Sequence, residues 1–173
     1  MLCLTIRLDG LFQSYSKMQG FGRKETEPIP TKSAVVGLAA AALGLDRDDQ
    51  FIGKIADETK MYLKNKEYKN GYHKVYTDYQ TATPWNGEYW ISANGKKADL
   101  QGPIERNKDY LLEASYTVCI TGKEEMLDTL AEAFIFPKRF LYLGRSNCFP
   151  QSPIFESYHS IDEEEINKCT ELL

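Results

Sequence analysis

The chain is poor in the residues from which metal centres and many catalytic sites are built. It has two histidines, His73 and His159, in 173 residues. Its four cysteines, Cys3, Cys119, Cys148 and Cys169, are far apart and form no C-x-x-C pair, which argues against a zinc ribbon. A reducing, cytoplasmic setting is the expectation, with all four as free thiols in or near the core. There is no P-loop pattern and no metal-binding carboxylate cluster, so no cofactor and no metal are expected. The longest apolar run, Ala34 to Leu45, is too short to span a bilayer. No basic segment leads into an apolar leader at the start, and no membrane partner is expected. Internal repeats and low-complexity tracts are lacking too. Nor is there a surplus of positive charge: the net charge is −4, which weighs against nucleic-acid binding. That deficit is local. Five acids against one base between Asp162 and Leu173 carry all of it, leaving residues 1–161 neutral. Basic patches on a neutral body still bind phosphate.

What is present suits one soluble globular domain long enough to bury a core: hydrophobic residues are 42% and charged residues 27%. Eleven tyrosines favour strands or a polar-aromatic contact surface. Leu2, Leu4, Ile6 and Leu8 alternate with polar neighbours and predict a half-buried strand. Ala114, Tyr116, Val118 and Ile120 predict a second, ended by Gly122. Leu127, Leu130, Ala131 and Phe134 stand at helical spacing within Lys123–Phe136, and Pro137 stops that helix. Met61–Leu63 is a weak strand, and residues 47–56 a short helix. The tyrosine- and tryptophan-rich region from Asn65 to Lys108 reads as a long hairpin. Its strands would be Tyr72–Tyr79 and Trp85–Ile91, with Pro84 and Asn86-Gly87 as turn signals. Ser160 and Glu163 suggest a capping box for a terminal acidic helix through Leu172. The order of elements resembles a βαββαβ plan, an α+β sheet with two helices on one face.

Gly20 to Arg47 organises the rest. A glycine- and proline-broken basic loop leads to Thr31, a capping residue, and then to a small-residue helix from about Lys32 to Leu43. Gly44 stands where a helix ends in the left-handed region. The first-turn N–H groups suit an anion such as phosphate; a loop and a core helix without a ligand is the alternative. Two basic segments could hold phosphate: Arg23-Lys24 with Lys32, and Lys138-Arg139 with Arg145. Tyr142, Phe140 and the hairpin aromatics could stack on unpaired bases. His73 with Lys74 could support RNA strand cleavage, or serve as polar hairpin residues.

Several segments in order resemble the fifth Cas family of CRISPR systems. They are Gly10-Leu11-Phe12-Gln13-Ser14-Tyr15, then Arg23, Thr26 and Pro30-Thr31-Lys32-Ser33, then Gly37-Leu38 to Leu43-Gly44 and Arg47-Asp48-Asp49. Asp78-Tyr79-Gln80-Thr81, Tyr110-Leu111, Ala114 to Val118 and Tyr142 to Cys148 continue the match over most of residues 1–158. The likeness is strongest to the branch that forms a subunit of type I-E Cascade. The resemblance implies a ferredoxin-like (RRM-like) body over residues 1–173, an inserted β-hairpin thumb over 66–108 and a short acidic C-terminal helix over 160–173. It implies a non-catalytic role: binding the 5′ handle of the guide RNA (crRNA) and capping the backbone filament. The backbone and large subunits would be partners, and target DNA an indirect one. A related branch cleaves precursor RNA without a metal, and a metal-independent endoribonuclease is the alternative. The resemblance adds Tyr79, Thr81 and Gly144 to the candidate RNA contacts, beside Arg23, Lys24, Thr31, Lys32, Ser33, Lys138, Arg139, Tyr142 and Arg145. Tyr15-Ser16 stands where the family often has Trp-Gly, and relatives carry a longer C-terminal extension.

Overall fold

The structure, a computed structural model, describes residues 1–16, 23–68, 74–82, 90–91, 97–98 and 104–172. Nine strands are assigned there: β1 (Leu2–Gln13), β2 (Arg23–Lys24), β3 (Thr59–Tyr68), β4 (Val75–Ala82), β5 (Trp90–Ile91), β6 (Lys97–Ala98), β7 (Ile104–Gly122), β8 (Phe155–Ser160) and β9 (Thr170–Glu171). The helices are α1 (Lys32–Leu43), α2 (Gln50–Glu58), α3 (Glu124–Ile135) and α4 (Glu163–Asn167).

β7 is the spine. Its C-terminal part lies between β1 and β3, antiparallel to both, with Leu4 opposite Ile120 and Leu63 opposite Val118. β8 and β9 extend the sheet in the order β8-β1-β7-β3-β9. The N-terminal part of β7 pairs with β4 on one side, from Val75 opposite Leu111 to Ala82 opposite Ile104. On the other side it takes β2 in parallel, with Arg23 opposite Asn107 and Lys24 opposite Lys108. Glu113, at φ 50°, marks the joint between the two parts.

Alternation explains the core. Leu4, Ile6 and Leu8 meet Tyr116, Val118 and Ile120 on one buried face, which α1 and α3 cover. α1 begins at Thr31, whose hydroxyl accepts the Ala34 N–H. It ends at Gly44, φ 75°, whose N–H returns to the Ala40 and Ala41 carbonyls. Val35, Val36, Leu38, Ala39 and Ala42 are buried, and only a thin stripe of the helix faces out. The Tyr116 hydroxyl donates to the Pro28 carbonyl at 2.8 Å and fixes the loop before the helix. The other sheet face carries a small cluster of Cys3, Cys119, Ile161 and Ile166 beside α4.

Three expectations are corrected. β4 pairs with the start of β7, not with Trp85–Ile91; Trp90–Ile91 pairs with Lys97–Ala98 instead. Pro84 and Asn86-Gly87 lie outside the described residues. The terminal helix stops at Asn167, is preceded by Asp162 without a side-chain cap bond, and gives way to β9. Cys3 and Cys119 form a disulfide, because adjacent strands bring residues 116 apart in sequence onto one face; Cys148 and Cys169 are free.

Gly37 is exposed on α1, and a β-carbon there meets nothing within 4 Å. Gly37→Ala should therefore stabilise the fold by about 0.5–1 kcal/mol, the helix-interior difference between the two residues. A urea titration reads this as a higher midpoint at unchanged slope.

Candidate nucleic-acid interface

The site begins with a close backbone approach. Gly144 has φ 105°, and a β-carbon on it would lie 1.7 Å from the Ser14 carbonyl oxygen. The Ser14 N–H donates to the Leu143 carbonyl at 3.0 Å. The segment after α3 is thereby held against the end of β1 and alongside α1. Between them lies a groove of about 420 Å³. Thr31, Ser33, Gly37 and Ala41 form one wall, and Tyr142, Gly144 and Arg145 the other. Ser33, Gly37 and Ala41 recur every fourth residue and, with Ala34 beside them, make most of the helical wall small; Leu38 is the one large side chain of α1 on it.

The groove continues through Ser16, Tyr142, Gly144 and Arg145 into a wider hollow of about 840 Å³. Lys24, Arg47, Gln80, Lys108, Tyr110 and Asn147 line this part. Among the described residues, four cations, Lys24, Arg47, Lys108 and Arg145, face it against one carboxylate, Glu25.

Arg145 joins the walls. One terminal nitrogen donates to the Asp109 carbonyl at 2.8 Å and the other to the Lys24 carbonyl at 3.0 Å. Its guanidinium carbon lies 4.8 Å from the centre of the Tyr110 ring, a cation–π contact. Arg23 is bound on the opposite side of the β4–β7 ladder. Its Nε and Nη2 donate to the two Asp109 carboxylate oxygens at 3.0 and 3.1 Å, and Nη2 also reaches Thr77 Oγ1 at 3.3 Å. The Thr77 hydroxyl donates to the same carboxylate at 2.7 Å. Burial alone would raise the Asp109 carboxyl; hydrogen bonds from Arg23 and Thr77, with the charges of Arg23 and Arg145, outweigh it and hold the pKa below the usual carboxylate range.

Strand alternation decides which expected residues meet. Because β2 pairs in register with Asn107 and Lys108, Lys24 faces the hollow with Lys108, while Arg23 faces Thr77 and Asp109. Tyr79, opposite Asn107, and Thr81, opposite Glu105, share the Arg23 side. A hydrogen bond to Glu105 and burial raise the Tyr79 pKa. Lys138 and Arg139 sit at the far end of α1, about 18 Å from Thr31 for twelve helical residues. There Arg139 donates to the Gly44 and Leu45 carbonyls, each at 2.9 Å, and pairs with Asp46 at 2.8 Å. It caps the negative end of the helix. Lys32 is half-buried in the first turn and does not line the groove. Of the expected contacts, the structure thus gathers Lys24, Thr31, Ser33, Tyr142, Gly144 and Arg145.

Arg47 and Lys108 are not among the RNA contacts expected from sequence. Arg47 reads there as the start of a short helix over 47–56, and Lys108 closes a region with little apolar periodicity. His73 lies outside the described residues. Lys74 is exposed beside β4, and His159 lies on β8 with its Nδ1 3.2 Å from Ser157 Oγ. Among the described residues no group of three or more His, Cys, Asp or Glu converges. No helix there is long and apolar enough to cross a membrane.

Comparison with known proteins places this geometry in context. Residues 3–170 match the family described as CRISPR-associated protein (Cas_Cas5). The chain is 28% identical over 161 residues to the CRISPR system Cascade subunit CasD of Escherichia coli (strain K12), covering 88% of this chain and 69% of that relative. It is similar to a chain of a solved CRISPR RNA-guided surveillance complex, with a TM-score of 0.71 and 29% identity over 88% of this chain and 61% of that one. It is also similar to a crystal structure of a Cas protein, with a TM-score of 0.59 and 28% identity over 89% of this chain and 62% of that one. The chain spans less than two thirds of the length of these two structural relatives.

Two substitutions probe the framework. Gly144→Ala should destabilise by roughly 3 kcal/mol, since the left-handed backbone and the Ser14 carbonyl both oppose a methyl group; thermal unfolding reads the loss. Asp109→Asn should destabilise by about 1–3 kcal/mol near pH 7. A carboxylate whose pKa is depressed on folding contributes stability above its unfolded pKa of about 3.9 and loses it as pH falls through the folded value. Stabilities of wild type and variant should therefore converge across that acidic window in urea titrations at stepped pH.

Proposed function

The chain belongs to the Cas5 family of CRISPR-associated proteins, and from that premise we propose that it is a non-catalytic subunit of a Cascade-type surveillance complex that holds the 5′ handle of the guide RNA. The observation that carries this reading is the four-cation hollow continuous with a helical wall of mostly small residues, on a chain whose net charge is negative. Phosphate contacts fall to Lys24, Arg47, Lys108 and Arg145. The Tyr142 ring stacks on or orients a handle base. Thr31 and Ser33 offer hydroxyls at the start of α1, where Lys32 adds positive charge and the first-turn N–H groups suit an anion. Arg23 braces the ladder through Asp109, and Arg139 braces α1.

The sheet order β8-β1-β7-β3 supports reading the body as ferredoxin-like within one domain. The β4–β7 ladder, with its almost wholly exposed β4, supports a thumb inserted over residues 66–108. In this reading Tyr79 and Thr81, on the ladder side away from the hollow, meet the backbone subunit or a further stretch of guide. The large subunit binds beside the handle, and target DNA is met through the assembled complex. The similarity to CasD and to a surveillance-complex chain supports the same role.

A handle RNA titrated by filter binding over a series of salt concentrations tests the site. Lys24→Ala with Lys108→Ala should weaken binding and lower the salt slope by about 1.4, two single-strand phosphate contacts at roughly 0.7 each. An unchanged slope refutes the assignment. Incubation of the chain with repeat RNA in EDTA should yield no shorter product; a cleaved product would favour the endoribonuclease.

A further inference from the structure

A second surface lies at the other end of α1 and has no part in the groove. Ile135, Phe136, Phe140 and Phe149 are each exposed, Phe136 at 75%, Phe140 at 83% and Phe149 at 60%. Ile135, Phe140 and Phe149 line one shallow concavity with Pro137 and Pro150. Two exposed phenylalanines and an exposed isoleucine on one proline-edged ledge, flanked by Phe136 between the lining residues Ile135 and Pro137, differ from the singly scattered apolar residues of an ordinary surface. Rigid aromatic rings carry much of the energy where proteins dock.

The charges around the ledge choose the class of partner. Arg139 is consumed by the Gly44 and Leu45 carbonyls and Asp46. The Gly44 carbonyl is at the negative end of α1, the Leu45 carbonyl lies just past it, and Asp46 stands exposed beside them. A nucleic-acid backbone meets a poor electrostatic environment there. Lys138, whose stem lies along Gly44, is the cation on the lining that forms no ion pair among the described residues. The ledge also adjoins the groove: the Phe149 ring packs edge-on against Tyr142 at 5.3 Å, and Tyr142 lines the RNA path.

We infer that this ledge docks a neighbouring protein subunit through an apolar segment bearing one carboxylate, which pairs with Lys138 while Phe136 and Phe140 become buried. The inference rests on the proposed role in a guide-RNA complex and names a protein-binding surface of that assembly. Through the Phe149–Tyr142 contact the docked subunit lies next to the held RNA.

The test uses the full chain carrying Phe136→Ser with Phe140→Ser, and separately Lys138→Glu. Each is expressed with the guide RNA and the other protein subunits of the complex, and retention of each subunit is read after size-exclusion chromatography. Both phenylalanines are mostly exposed, so melting and handle-RNA binding of the isolated double variant should match wild type. Retention of one protein subunit should fall about tenfold or more, as for loss of an aromatic anchor, and several-fold with Lys138→Glu. A double variant that assembles as well as wild type overturns the inference and leaves the RNA role standing. So does one that loses handle RNA, which would make the ledge a nucleic-acid surface, or a wild-type dimer abolished by the double variant, which would make the occupant a second copy. A wild-type chain that binds handle RNA but joins no complex also overturns it. One that does neither overturns the proposed role as well.

Discussion

The contact on which the site depends is the one between Gly144 and the Ser14 carbonyl. No β-carbon fits there, so the chain after α3 lies flush against the end of β1. That closeness places Tyr142 and Arg145 across from α1 at groove width. The Arg145 guanidinium then reaches two carbonyls from different strands and the face of Tyr110. The groove is therefore a product of backbone packing first and of charge second.

Charge is divided into two kinds by the fold. Arg23 and Arg139 are spent on internal acceptors, and each fastens a boundary: the β2–β7 pairing in one case, the end of α1 in the other. Lys24, Arg47 and Lys108 line the hollow. Arg145 does both, tied by two N–H groups yet lining both hollows. A guanidinium has five N–H donors, so a fastened arginine retains capacity for a ligand.

Much of this was legible in the sequence where the determinants are local. The caps Thr31 and Gly44 bound α1 at the expected residues, and alternation located β1 and the C-terminal part of β7. The amphipathic spacing of Leu127 to Phe134 located α3. What was not legible is pairing across distance. The partner of β4 begins more than twenty residues further on, and nothing in Val75–Ala82 itself names it. The side on which Arg23 or Lys24 points follows from a two-residue parallel bridge that carries no periodic signal. The capping role of Arg139 depends on where α1 ends in space, and two basic residues in a row read as a phosphate grip until that end is known. The match between Cys3 and Cys119 likewise waits on strand register.

The short bridge between β2 and β7 has a consequence for how the chain tolerates change. Sliding it by a single position would exchange the neighbours: the guanidinium would swing toward the hollow, and an ammonium would be left facing Asp109. The total number of positive groups would be the same, yet the clasp would be weaker and the cavity more crowded. A one-residue insertion or deletion just ahead of Arg23 is therefore a more severe lesion than replacement of either side chain, because it rewires both at once.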